Sequence, residues 1–190
     1  MAARGLCAIE KKARRIGATL LYVDESGFSE KPKIVRTWAP RGQTPLLRHN
    51  FNWTTLSMIS AVSERAKVYL KLHDETIKGP QVVSFLRHLM RRVRSRVIAF
   101  VDGATIHRTA DVKEVVRRYR GRLQLERLPP YAPEMNPDEW FWSHLKYKEL
   151  GNFCPATVGE LKREVRKAAR RVQNRPDLIR SFIKASGLSR

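Results

Sequence analysis

Leu128-Pro129-Pro130-Tyr131-Ala132-Pro133-Glu134-Met135-Asn136-Pro137-Asp138-Glu139-Trp140-Phe141-Trp142 is a stiff, proline-punctuated run that ends by starting a helix. Each proline fixes its own φ and pushes the preceding residue into extended geometry. Asn136 is a good N-cap, Pro137 suits the first helical position, and Glu139 falls in the first turn. The run therefore delivers a carboxylate to a defined place. It predicts a helix from Pro137 to about Leu150, stopped by Gly151-Asn152.

Two earlier stretches supply what that carboxylate is held against. Ala18-Thr19-Leu20-Leu21-Tyr22-Val23 is a short apolar run closed by Asp24-Glu25-Ser26-Gly27. Val97-Ile98-Ala99-Phe100-Val101 is another, closed by Asp102-Gly103. Continuous apolar runs of this length read as buried strands. Trp53–Val62, Ala66–Leu72 and Leu123–Leu128 also suit strands. Residues 29–50 are loop-like, with room for a short hairpin around Thr37-Trp38. Helices are expected from Gly79-Pro80 to Val93, from Thr109 or Asp111 to Tyr119, from the capping pattern Thr157-Val158-Gly159-Glu160 onward, and in a last short piece to Ala185. Residues 1–16 are a basic arm or a helix end. Strands first, then alternating helix and strand, predict an α/β mixed sheet covered by helices. Strands that end in Asp place a site at their carboxyl ends.

Charge points to the partner. The 190 residues carry 38 Lys+Arg against 18 Asp+Glu, a net +20. Solubility needs a net charge of only roughly 2–8 for a small domain, so a polyanion is the natural counterpart. Arg91, Arg92, Arg94, Arg117, Arg118, Lys162, Arg163, Arg166 and Arg170 are the expected contacts to a DNA backbone. The two cysteines, Cys7 and Cys154, stand in no motif and suggest a reducing compartment. No apolar run approaches the roughly 18 residues of a membrane span, and residues 1–15 lack a signal-like apolar core. No phosphate-cradling G-x-x-x-x-G-K-[ST] loop occurs, so ATP use is not expected. The reading is of one soluble, cytoplasmic protein facing nucleic acid.

Carboxylates gathered at neighbouring strand ends repel one another, and hard divalent cations are the common remedy. Two ions about 4 Å apart can serve the attacking and leaving oxygens of phosphoryl transfer. Taken singly, each acid has an ordinary reading. Asp24 and Asp102 suit turns, Glu139 suits a capping box with Asn136, and Glu25 alternates away from Asp24. Glu134 and Asp138 compete with Glu139 for the third place. Trp140 and Trp142 are expected in the core rather than stacked on bases, and at most one of them should meet DNA.

The segments Leu21–Gly27, Phe100–Arg108 and Leu128–Glu139 resemble the catalytic blocks of IS630/Tc1/mariner-type DDE transposases, in the same order. The resemblance implies a ribonuclease-H-like fold, with a basic N-terminal arm at 1–16 and a catalytic domain at 17–190 that ends in basic helices. It implies Asp24, Asp102 and Glu139 as catalytic, metal-binding residues for two Mg²⁺ ions, with Mn²⁺ able to substitute. Glu25 and His107 stand as supporting residues. The implied activity is strand cleavage and transfer at transposon ends, on a bacterial nucleoid. Family members carry N-terminal helix-turn-helix domains, so an upstream reading-frame partner is expected, as is a homodimer in the active complex. The other readings are a decayed or non-catalytic nucleic-acid-binding protein and a ribonuclease-H-like nuclease of different substrate. Gly103 departs from the family, which commonly has Asn there, and 36 residues lie between Asp102 and Glu139.

Overall fold

The computed structural model describes residues 2–48, 55–128 and 135–188, with side chains from Ala8 onward. Trp53 and the proline-rich entry Pro129–Glu134 lie outside the described residues. So does the side chain of Cys7.

The strands are β1 (Thr19–Ser29), β2 (Thr55–Ser63), β3 (Lys67–His73), β4 (Val97–Val101) and β5 (Leu123–Arg127). They form one sheet in the order β3-β2-β1-β4-β5. The β3-β2-β1 side is antiparallel, and β1, β4 and β5 run parallel. Glu64-Arg65-Ala66 joins β2 to β3 in a tight connection, with Ala66 in the left-handed region at φ 55°. β1 is long enough to project past the end of β4. The helices among the described residues are α1 (Ala2–Ile16), α2 (Gly79–Arg92), α3 (Ala110–Arg118), α4 (Pro137–His144), α5 (Val158–Gln173) and α6 (Pro176–Ala185).

Strand alternation sorts the core into two layers. Leu21 and Val23 of β1, with Ala99 and Val101 of β4, face α2 and α3. Leu20 and Tyr22, with Ile98 and Phe100, face the other side, where Ala13 of α1 packs and Tyr22 stacks on Phe100 at 5.1 Å. On that same side Met58 and Val62 of β2 meet Phe141 and Trp142 of α4 and the apolar stripe of α5. Leu161, Val165, Ala168 and Val172 of the α5 stripe are buried, and Val158 at its start is half-buried.

Caps fall where the side chains call for them. Thr109 Oγ1 accepts from Val112 N, and Thr157 Oγ1 accepts from Glu160 N. The expected box at Thr157 closes differently, since Glu160 Oε2 accepts from Ala156 N. Residues 1–16 form helix α1 from Ala2 onward, packed on the sheet through Ala13, Ile9 and Ile16. The hairpin expected at Thr37-Trp38 is not formed. Residues 34–48 are irregular, and Trp38 is 99% exposed. Proline at 32, 40 and 45 withholds the backbone donors a ladder needs, which is the physical reason. Helix α4 is shorter than expected because its last turn widens into a π-turn over Leu145–Glu149.

Candidate active site

Register explains how two acids far apart in sequence come together. β1 and β4 are parallel, and their last paired residues are Tyr22 and Phe100. Asp24 and Asp102 each stand two residues further on, so they project from adjacent strands on the same face. That face is the one α4 covers. Asn136 caps α4, its Oδ1 accepting from Asp138 N at 3.1 Å, and Pro137 takes the first helical position. Glu139 then emerges on the exposed side of the first turn. Among the described residues its carboxylate makes no hydrogen bond to Asn136, so it is not spent on a capping box.

Asp24 registers the convergence. Its carboxyl is pushed up to about 7, first by burial and next by the charge of Glu139, with Glu25 and Asp102 adding and the backbone N–H of Glu25 opposing. Asp102 is the open member: its side chain is 52% exposed, and Oδ1 accepts from Ala104 N at 2.8 Å. His107, 4% exposed on a 3₁₀ turn at Thr105–Arg108, sits behind it. His107 Nε2 is 3.2 Å from Asp102 Oδ1 and 3.5 Å from Glu25 Oε1. Burial pulls the imidazole's pKa down, but the Glu25 contact and the charges of Glu25, Asp102 and Asp24 outweigh it, and the net shift is upward.

Asp138 is not a rival for the third place. It is fully buried and turned toward the sheet, where Ser60 Oγ of β2 donates to its Oδ1 at 2.5 Å. Ser60 is the register partner of Asp24. Burial drives the Asp138 carboxyl well above the ordinary range, and the charge of Asp24 adds to this while the Ser60 bond opposes it. Asp138 thus pins the start of α4 to the central strands. Removing the hydroxyl, as in Ser60→Ala, should cost about 1–3 kcal/mol, read as a lower urea midpoint with an unchanged slope. An unaltered midpoint would show that this contact does not hold the helix.

Among the described residues no three His, Cys, Asp or Glu side chains are already drawn together as metal ligands. The donor set nevertheless suits a hard cation. Asp24, Asp102 and Glu139 offer only carboxylate oxygens, and Asp24 feels the other two as unrelieved negative charge. A divalent ion would relieve that repulsion.

A family model described as DDE superfamily endonuclease matches residues 19–162. The chain belongs to the DDE superfamily endonucleases. Among solved structures, the Mos1 transposase paired-end complex with left transposon end is 18% identical, with 98% of this chain and 60% of that chain covered, at a TM-score of 0.62. The Mos1 mariner paired end complex with Mn is 17% identical, covers 96% of this chain and 60% of that one, and scores 0.61. The catalytic domain of Mos1 mariner transposase is 16% identical, with 96% and 91% covered, at 0.53. These likenesses show a ribonuclease-H-like fold, as the sequence led us to expect. The chain spans about 60% of the length of the first of these transposase chains. Comparison with curated proteins finds no match.

Two features of this DDE endonuclease escaped the sequence reading. Lys146 lies two helical turns after Glu139, a spacing that puts it on the same side of the helix. Its Nζ donates to Ser26 Oγ at 2.6 Å and stands 5.6 Å from the Phe28 ring centroid. Burial and Lys33 lower its pKa, while Glu139 and Asp24 raise it, so the ammonium borders the acids. The second feature is the seat beside Asp102. A Cβ at Gly103 would collide with the Arg127 guanidinium. Arg127 from the end of β5 fills the space that a side chain at position 103 would take.

The structure also sorts the basic residues. Lys162 pairs with Asp74 at 2.5 Å, and Arg117 with Glu114 at 2.7 Å, so these two are engaged within the fold. Arg163, Arg166 and Arg170 lie on the exposed face of α5. Arg91, Arg92, Arg94 and Arg118 are exposed, but at the end of the sheet where β4 and β5 begin, away from Asp102.

Proposed function

We propose that this chain is the catalytic part of a transposase, cutting and joining DNA strands at the ends of a mobile element. The observation that carries this reading is the pressure on Asp24, half-buried and loaded by the charges of Glu139 and Asp102. A protein that merely coats nucleic acid has no use for such an arrangement. The similarity to Mos1 complexes with transposon ends supports the substrate, and a Mos1 complex with Mn supports the metal class.

Asp24, Asp102 and Glu139 would hold two Mg²⁺ ions, with Mn²⁺ able to replace them. Bound there, the ions would supply Lewis-acid activation of the attacking oxygen and stabilisation of the leaving one. The chain's own residues do the rest. β1 and β4 fix the spacing of the two aspartates, and α4 sets Glu139 across from them. His107 and Glu25 steady Asp102 from behind. Lys146 presents a cation beside the acids, where a phosphodiester would enter. The arginines and lysines of the surface bind the DNA backbone, which makes affinity fall steeply with salt.

In this reading residues 1–16 are an appended basic helix and residues 17–190 the catalytic domain. A helix-turn-helix partner, encoded in an upstream reading frame, recognises the element's ends. Two copies act together because two ends must be joined, and the work is done on the bacterial nucleoid. No helix among the described residues is long and apolar enough to cross a membrane.

The test is direct. Purified protein with Mn²⁺ or Mg²⁺ is expected to nick duplexes carrying the element's ends and to stop when the metal is chelated. Intact duplex in the presence of either metal, from protein that binds it, would contradict the proposal.

A further inference from the structure

The sheet has a second charged end, opposite the acids. Residues 91–96 read Arg-Arg-Val-Arg-Ser-Arg and residues 117–122 read Arg-Arg-Tyr-Arg-Gly-Arg, the same pattern twice. Both segments leave a helix and enter a parallel strand, the first into β4 and the second into β5. A third segment, with Arg14 and Arg15 closing α1, enters β1. The three entrances are stitched side by side. Thr19 N donates to Arg96 O at 2.8 Å, Val97 N donates to Arg122 O at 2.7 Å, and the Thr19 and Ser95 hydroxyls are 2.8 Å apart. Sequence order scatters these arginines, and the parallel register gathers them.

Some of them have structural work. Arg122 donates through Nη2 to the carbonyls of Met90, Val93 and Arg94, satisfying the end of α2. Arg117 is paired with Glu114. A cation in the last turn of a helix is favoured by the helix dipole, which accounts for Arg92 and Arg118 in part. Arg94, Arg96 and Arg120 lie beyond both helices, are exposed, and have no acidic partner among the described residues. The acid nearest this end on the β2–β3 turn is Glu64, and its Oε1 accepts from Leu20 N at 3.2 Å, with Arg65 and Arg14 nearby. Arg96 and Arg120 border a cleft of about 440 Å³, floored by Ile16, Ile98 and Leu123.

Neither of the two repeated segments, 91–96 and 117–122, contains a lysine. A need for charge alone is met by either residue. A guanidinium adds planar, bidentate recognition of phosphate. From Arg96 to Asp102 the chain climbs the length of β4, about 20 Å at roughly 3.3 Å per residue. A phosphate held at this end is therefore not the one being cut.

Resting on the reading of the acids as a DNA-cutting site, we propose that this arginine end is a separate binding surface for a second segment of duplex DNA. The chain then holds one duplex at the acids and another about a strand's length away. It can present two segments to each other, as strand transfer requires.

The double variant Arg96→Gln, Arg120→Gln, at the two arginines that border the cleft, tests this. Wild-type protein loaded on a bead-bound duplex of about 20 base pairs, two helical turns, should capture a second, fluorescent duplex. The variant, at the same oligomeric state and melting temperature, should lose that capture. Its slope of log affinity against log salt should fall by about 2, roughly 0.9 for each phosphate released. Its nicking of a single duplex at saturating DNA should match the wild type. Undiminished capture with an unchanged slope overturns the proposal. So does a loss of nicking at saturation, which would place these arginines in the chemistry. Wild-type protein that captures two duplexes but nicks neither contradicts the nuclease reading alone.

Discussion

Asp102→Asn is expected to abolish nicking while leaving DNA affinity within about twofold. The Asp102 side chain is 52% exposed, and its one close side-chain neighbour among the described residues is His107, whose Nε2 lies 3.2 Å from Oδ1, a distance an asparagine oxygen can keep. Its contact with Ala104 N needs only an oxygen acceptor, which asparagine keeps. What asparagine removes is the negative charge facing a divalent ion. Charge stabilisation by such an ion is worth several kcal/mol in the transition state, and about 4 kcal/mol is a factor of ~10³ in rate. The surface that carries DNA is cationic and untouched, so gel-shift affinity stays. A variant that nicks as fast as wild type would remove Asp102 from the chemistry. One that loses binding in step with nicking would make it a DNA contact.

The second large effect is on stability in the absence of metal. Asp24 titrates at about 7 in the fold, against an ordinary value of 3.8. Between those values the folded chain holds a proton that the unfolded chain has lost. The unfolded state binds fewer protons, so stability falls as pH rises through that window. At 1.36 kcal/mol for each pKa unit, the loss attributable to Asp24 is about 4 kcal/mol by pH 8. Neighbouring carboxylates share the titration, so the transition should be broad. Asp24→Asn cannot ionise. In chelator, it should melt above wild type at pH 8 and near it at pH 4. Added Mg²⁺ should raise the wild-type melting temperature at pH 8 and move the variant little. If the variant melts below wild type at pH 8 without metal, then Asp24 is a structural carboxylate with a partner of its own.

Much of this was legible from local pattern. Two apolar runs that stop at an acid mark β1 and β4, because strands buried on both faces must be continuously apolar. Asn136-Pro137 marks the start of α4 because one side chain caps and the other has no N–H to waste. Other features depend on which strands lie side by side. Nothing near Asp138 reveals that Ser60, 78 residues away, donates a hydrogen bond to it, and a charged residue in a first turn reads as solvated. Helix α1 carries few large apolar residues, so its docking through Ala13 is invisible until Leu20 and Tyr22 face it. The arginine end is the clearest case. Each cluster alone looks like a polar helix end, and only the pairing of Thr19 with Val97 and of Val97 with Leu123 makes them one surface. Arg127 beside Gly103 is of the same kind: a missing side chain at one position is filled from another strand.

The central claim is that Asp24, Asp102 and Glu139 meet around divalent cations. Crystals of the protein soaked in Mn²⁺ and measured at the manganese absorption edge test it most directly. Anomalous peaks lying among these three carboxylates, and lost in Asp102→Asn, are the expected result. Peaks only at other acids, with the three side chains ordered and turned apart, would contradict it.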